Sequence, residues 1–200
     1  MLKITLIPLV LVAASAAPAR PDARAETSFA TRLVSAAIEQ TTRRVVYDGS
    51  YRPIAYPNGD VPAGVGVCTD VVIRAYRVVG IDLQVAVHED MSAAFSAYPA
   101  LWGLRQPDPN IDHRRVANLQ TFLRRRNAEL PVSDDPSDYR GGDLVTWTLP
   151  GNLPHIGIVT DRRSDDGARP LIVHNIGQGP AVEDALFEFP ITGHYRYPAR

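Results

Sequence analysis

The chain has a single cysteine, Cys68, in the stretch GVGVCTDVVIRAYRVVG at 64–80, and five histidines. A thiol attacks a carbonyl carbon once deprotonated, and its ordinary pKa of ~8.5 means that it needs help at neutral pH. A helix start gives part of that help, because its orphan N–H groups and positive dipole end favour an anion. Histidine is the usual partner that takes the proton and returns it to the leaving group. His155, in GNLPHIGIVTD, follows the Pro150-Gly151 turn and opens an apolar run, so it can project from a strand end toward a helix start. His174, in LIVHN, closes the next run and can orient His155 through its second ring nitrogen. Asn175 is the rival for that third role; adjacent strand residues point to opposite faces, so only one of the two aims at the site. Cys68, His155 and His174 thus read as nucleophile, base and orienter.

A lone cysteine is most often a small buried hydrophobe, and the other candidates have plain readings too. Asp70 is a favourable first-turn anion that can also cap the preceding loop or touch substrate. Tyr51, Tyr56 and Asn58, in the loop before the cysteine, are candidates for a second oxyanion donor beside the Cys68 backbone N–H. Trp102, Trp147, His113 and Arg114 are candidates for a substrate groove, although a strand tryptophan such as Trp147 usually belongs to the core. His113 has Asp112, Arg114 and Arg115 beside it as salt-bridge partners and reads equally as a structural or a substrate-recognition residue. His88 reads as a helix-boundary residue and His194 as structural.

Phe29, Leu33, Val34, Ala37 and Ile38 recur at helical spacing behind a cap at Thr27 or Ser28, which predicts a first helix of about four turns. The segment 49–62, GSYRPIAYPNGDVP, is too broken by glycine and proline for a helix and is a poor strand. Val71, Val72, Ala75, Val78 and Val79 then mark one helical face, with Gly80 as a left-handed C-terminal cap, so Cys68 falls at that helix's start. Further helices are predicted from Asp82 through Phe95 and from near Asn118. After Pro136 the pattern turns to period two, with strands at 143–149, 156–160, 171–174 and 194–197. Helices first and strands second argue for an α+β domain, helices on an antiparallel sheet, and against alternating βαβ units.

The first residues have the three parts of a secretory leader: Lys3, an apolar run from Ile4 to Ala14, and small residues before cleavage after Ala16 or Ala19. A leader at 1–16 and one domain at 17–200 follow, with the mature protein exported, periplasmic or secreted, and not inserted in a membrane. An exported chain with one cysteine cannot form an internal disulfide, so the thiol pairs between chains, is buried, or reacts. The net charge of −1 becomes −2 once Lys3 is removed, which argues against a nucleic-acid or membrane-surface partner.

Cys68 on a helix, then GDLVTW, HIGIV and His174, resembles the NlpC-type papain-like cell-wall cysteine peptidases. More closely, YPNGDVPAGVGVCTDVVIRAYR, HEDM, YPALWGL, NIDHRRVANL, GDLVTW, LPHIGIV, LIVHNIGQG and ITGHYRY resemble the bacterial domain of unknown function 1287, over about 35–197. The resemblance implies a papain-like, NlpC-like fold with Cys68 as nucleophile, His155 as general base and His174 as third member. It also implies an exported hydrolase of peptidoglycan stem-peptide or cross-link amides that needs no cofactor or metal. Two departures weaken the substrate assignment: Val67-Cys68-Thr69-Asp70 replaces the usual D-C-S-G, and the segment between Cys68 and Asp143 is longer than in compact cell-wall domains. An acyl transferase using the same thioester, a metal hydrolase drawing on Cys68, His155, His174 and the 88–90 cluster, and a non-catalytic wall-binding module are the alternatives. No short His or Cys spacing typical of zinc is present.

Overall fold

The computed structural model describes residues 23–199, with side chains for 29–199. The expected leader and both cleavage positions lie outside the described residues. The elements are α1 (Ala23–Glu39), β1 (Val46–Tyr47), β2 (Val65–Gly66), α2 (Cys68–Val78), α3 (Leu83–Ala93), α4 (Val116–Arg125), β3 (Glu129–Leu130), β4 (Leu144–Leu149), β5 (Leu153–Arg163), β6 (Pro170–His174), β7 (Ala181–Glu183) and β8 (Ile191–Tyr195). Six strands form one sheet in the order β3-β8-β4-β5-β6-β7, antiparallel at every pairing. Helices therefore pack on an antiparallel sheet, an α+β architecture. Among the described residues no helix is long and apolar enough to cross a membrane.

The period-two pattern of the strands divides the core by face. Leu144, Ile156, Ile158, Val173 and Tyr195 face the helices and join Leu33, Val72, Ala75, Leu83, Leu119 and Phe122 in the larger cluster. Their neighbours Val145, Trp147, Val159 and Ile172 point the other way, against Tyr139, Ala185 and Leu186. Each of these large side chains contributes roughly 1.5–3 kcal/mol by leaving water, so a one-residue slip of any central strand would exchange both sets and expose the core. Asp143 ties the start of β4 to the end of β8, accepting from His194 Nε2 at 2.9 Å and from Arg196 at 2.6 and 2.7 Å.

The helix that carries the cysteine is built at both ends. Val67 has no polar side chain for capping, and Asp70 Oδ2 accepts the Val67 N–H at 2.7 Å instead. At the other end Gly80 adopts φ +91°. The Ile81 N–H then reaches back to the Tyr76 carbonyl at 3.0 Å, the pairing of a left-handed helix terminus.

Several expected boundaries move. The first helix runs through Thr27 and Ser28 and begins at Ala23. The helix after Asp82 ends at Ala93, and Phe95 lies in a separate 3-10 turn. The strands β1, β2, β3 and β7 are each of two or three residues, too short to show a periodic pattern, and sequence reading does not detect them.

Candidate active site

Cys68 is the first residue of α2 and is 4% exposed. Its delivery depends on a two-residue parallel pairing in which Val46 lies opposite Val65 and Tyr47 opposite Gly66. That pairing brings the Tyr47 hydroxyl into hydrogen-bonding contact with the thiol, while the tyrosine itself remains 44% exposed. Backbone hydrogen bonds from Ile156 and Thr69 reach the same sulfur. Burial pushes the thiol up from 9.0 to about 11, and these hydrogen bonds offset it only in part. The help that a helix start gives an anion is therefore set against the cost of burying one. Burial and the neighbouring Cys68 likewise raise Tyr47, from 10.0 to about 12.

The histidines meet as the strand order requires. β5 and β6 are antiparallel neighbours, and His155 Nε2 lies 2.8 Å from His174 Nδ1. His174 Nε2 in turn lies 2.7 Å from Glu183 Oε2, carried by β7. A carboxylate only accepts, so His174 Nε2 carries the proton given to Glu183. In neutral His174 the other nitrogen, Nδ1, is then an acceptor, and His155 Nε2 must donate to it. With that tautomer His155 Nδ1 is unprotonated. Burial, and secondarily the neighbouring His174, lower His155 from 6.5 to about 3, which keeps the ring neutral. Gly157 permits the close approach of β5 and β6: a Cβ there would stand 2.6 Å from Ile172 Cγ2 and 3.1 Å from His174 Cβ.

The thiol and the imidazole lie against opposite faces of β5. Cys68 touches Ile156, the residue after His155. His155 alternates with Ile156, and its ring lies 5.9 Å from that of Trp147, toward the second cluster. Among the hydrogen bonds of the described residues none joins the sulfur to an imidazole.

Most other candidates are spent on architecture. Asp70 receives Arg114 through Nε at 2.8 Å and through the terminal nitrogen at 2.9 Å, with the side chains 4% and 2% exposed. Neither residue is free for substrate. Thr69 Oγ1 adds a bond to the Arg114 carbonyl at 3.0 Å. His113 is 2% exposed and burial lowers it from 6.5 to about 4, so it does not line an open groove. Trp147 is 1% exposed and donates Nε1 to the Leu186 carbonyl at 2.9 Å, which places it in the core. Asn175 turns to its own loop, accepting from the Gly177 and Gly179 N–H groups and donating to the Gly66 carbonyl, so of the two it is His174 that meets His155.

The loop tyrosines lie elsewhere. Tyr51 OH accepts from Asn110, Tyr56 packs edge-on against His88, and the Asn58 N–H donates to Asp82. These contacts draw the loop toward α3, and the tyrosine on the thiol is Tyr47 instead. Trp102 is 41% exposed on the loop after α3. Glu183 and Tyr47 are the residues sequence reading missed; each stands on a strand of two or three residues, and only the pairing partner reveals its place. Among the described residues no group of three or more His, Cys, Asp or Glu side chains converges to hold a metal ion.

A family model described as a domain of unknown function, DUF1287, matches residues 34–197. The uncharacterized protein YijF of Escherichia coli (strain K12) is 48% identical over 182 residues, covering 90% of this chain and 88% of that protein. The chain belongs to the DUF1287 family.

Proposed function

We propose that the protein is an exported cysteine hydrolase of papain-like, NlpC-like type that cleaves an amide bond in peptidoglycan stem peptides or cross-links. The observation that carries this reading is the buried hydrogen-bonded file His155–His174–Glu183, which starts on β5, the strand whose next residue, Ile156, packs with the helix-borne Cys68. On this reading substrate displaces the half-exposed Tyr47 ring, and a rearrangement at the start of β5 brings His155 Nδ1 to the thiol. Sulfur attacks the amide carbon as its proton passes to Nδ1. The Cys68 backbone N–H and the Tyr47 hydroxyl donate to the developing oxyanion. Collapse breaks the C–N bond, and the imidazolium proton goes to the departing amine. Water then attacks the thioester with His155 as base, releasing a carboxylic acid and restoring the thiol.

The test is mass spectrometry of muropeptides from purified sacculi, incubated with the wild type or with Cys68→Ala. The reading expects new free amine and carboxyl termini with the wild type, lost in Cys68→Ala and after iodoacetamide treatment. Activity that survives both and disappears with a chelator transfers the chemistry to a metal. Products joined to an added amine in place of water identify a transferase. Association with sacculi and no new fragment from any defined muropeptide overturns the hydrolase reading.

A further inference from the structure

The segment between α3 and α4 encloses a cavity of about 120 Å³, distinct from the contacts of Cys68. A bound water needs roughly 10–15 Å³ of such space, so the cavity admits a group of several heavy atoms. One side is apolar, made by Met91, Phe95 and Tyr98, and Trp102 stands at its edge. The Arg115 guanidinium lies 4.0 Å from the Trp102 ring centroid and is itself paired with Asp112 at 3.2 Å. The remaining wall holds an unpaired acceptor. Asn118 is 1% exposed, and its Nδ2 donates to the Asp112 carbonyl at 3.1 Å. Its Oδ1 is buried without a partner among the described residues. Flipping the amide would set oxygen against oxygen, so the orphan stays an acceptor.

These features specify a ligand. Arg115 and Asp112 neutralise each other, which favours an uncharged guest. Asn118 Oδ1 asks for a donor, and the apolar side next to it asks for a small hydrocarbon group on the same fragment. An acetamido group has both, an N–H and a methyl. The exposed Trp102 offers a flat aromatic surface suited to the C–H face of a pyranose ring, whose hydroxyls can meet Asp112 and Arg115. We propose that this cavity binds an N-acetylated amino sugar, with the acetamido group inside and the ring on Trp102.

The placement gives the site a use. Asp112 opens the 3-10 turn Asp112–Arg114. Arg114 at its end grips Asp70, two residues beyond the cysteine, and takes the Thr69 hydroxyl on its carbonyl. A sugar held at Asp112 is thus in fixed register with Cys68, and would set the distance from a glycan unit to the bond that is cut. The binding claim stands by itself; its role in substrate positioning rests on the hydrolase reading.

The experiment is isothermal titration of the full chain with the tetrasaccharide of N-acetylglucosamine and with the glucose tetrasaccharide of the same linkage. Acrylamide quenching follows Trp102 in parallel, because Trp147 is 1% exposed and silent. The expected result is binding of the acetylated sugar only, protection of Trp102, and a loss of about tenfold or more in affinity for Trp102→Ala. Trp102 is exposed, so its truncation leaves the fold intact, which a thermal melt verifies. Absence of wild-type binding, equal binding of the glucose sugar, or a Trp102→Ala protein that binds as well as wild type overturns the proposal. Titrating Cys68→Ala separates the two readings: retained sugar binding with no amide cleavage by the wild type sinks the hydrolase alone, and cleavage without sugar binding sinks the sugar site alone.

Discussion

Neutralising Asp70 by Asp70→Asn tests how the candidate nucleophile is held. The Asp70–Arg114 pair is bidentate at 2.8 and 2.9 Å, with side chains 4% and 2% exposed, so water screens it little. The ~0–1 kcal/mol of an exposed pair is therefore the wrong scale. Asn preserves the side-chain shape and an acceptor for the Val67 N–H, but it leaves the Arg114 cation buried without its counter-charge. Breaking such a pair costs about 3–5 kcal/mol. For a domain of this size each kcal/mol lowers Tm by roughly 2–4 °C, so the expected drop is roughly 6–20 °C. Arg114→Met should cost a similar amount. The double variant should recover much of the loss, since replacing both charges together is close to neutral. Recovery will be incomplete, because Arg114 also donates to the Asp48 and Ser50 carbonyls at 3.4 Å. Urea unfolding of the three variants, followed by circular dichroism, provides the double-mutant cycle. A loss below 1 kcal/mol for Asp70→Asn, or a double variant whose loss equals the sum of the two singles, would refute the clamp.

With Cys68 raised from 9.0 to about 11, its alkylation by iodoacetamide at pH 7 should run about a hundredfold slower than that of an ordinary thiol, climbing steadily beyond pH 9; a plateau near pH 9 contradicts this. His155 and His113 are depressed from 6.5 to about 3 and about 4, so each takes up a proton on unfolding in the interval between those values. Their stability is present above pH 6.5 and lost as pH falls toward 4 and then 3, at roughly 1.4 kcal/mol per pH unit for each ring, and an unfolding free energy that stays flat from pH 6.5 to 4.5 rules it out. Glu183→Ala removes the acceptor that orders both rings and should lower kcat about tenfold or more with KM little changed. Nitrogen-15 spectra should then show mixed tautomers at His155, and an unaltered spectrum refutes the role assigned to Glu183. Gly157→Ala places a methyl 2.6 Å from Ile172 Cγ2 and should cost about 1–3 kcal/mol while parting His155 from His174; an unchanged Tm refutes the close approach.

What was legible in the sequence is what repeats along it. The face of α2 built from Val71, Val72 and Ala75 and the alternation of Leu144 with Val145 or Ile158 with Val159 persist over enough residues to identify helix and strand. Strand adjacency then brought His174 beside His155. The parts that escaped depend on single long-range pairings. Tyr47 reaches the thiol because it lies opposite Gly66, and Glu183 reaches His174 from a three-residue strand. The Arg114 that reads as a groove residue is claimed by Asp70, 44 positions earlier. Burial of the thiol is likewise invisible in the sequence, and it opposes the favour that a helix start lends an anion.

The order of the two imidazoles also bears on which half of the chemistry the site would favour. In a Ser-His-Asp arrangement the third group is a buried carboxylate that stabilises the imidazolium and makes the base stronger. Here the group on His155 is a second imidazole, which lowers His155 further when it is charged, after burial has already done most of that work. The carboxylate stands one ring farther away, with the Glu183 side chain 49% exposed. His155 is accordingly a weak base toward Cys68 and, once protonated, a strong acid toward a leaving group. With Cys68 raised to about 11 and His155 lowered to about 3, proton removal from the buried thiol is strongly uphill until substrate changes its surroundings, while expulsion of an amine needs the ready proton that a weak base carries. On the proposed hydrolase reading, the His155–His174–Glu183 order suits proton delivery to the departing amine better than proton removal from the thiol, and that delivery is the step Glu183 would influence most.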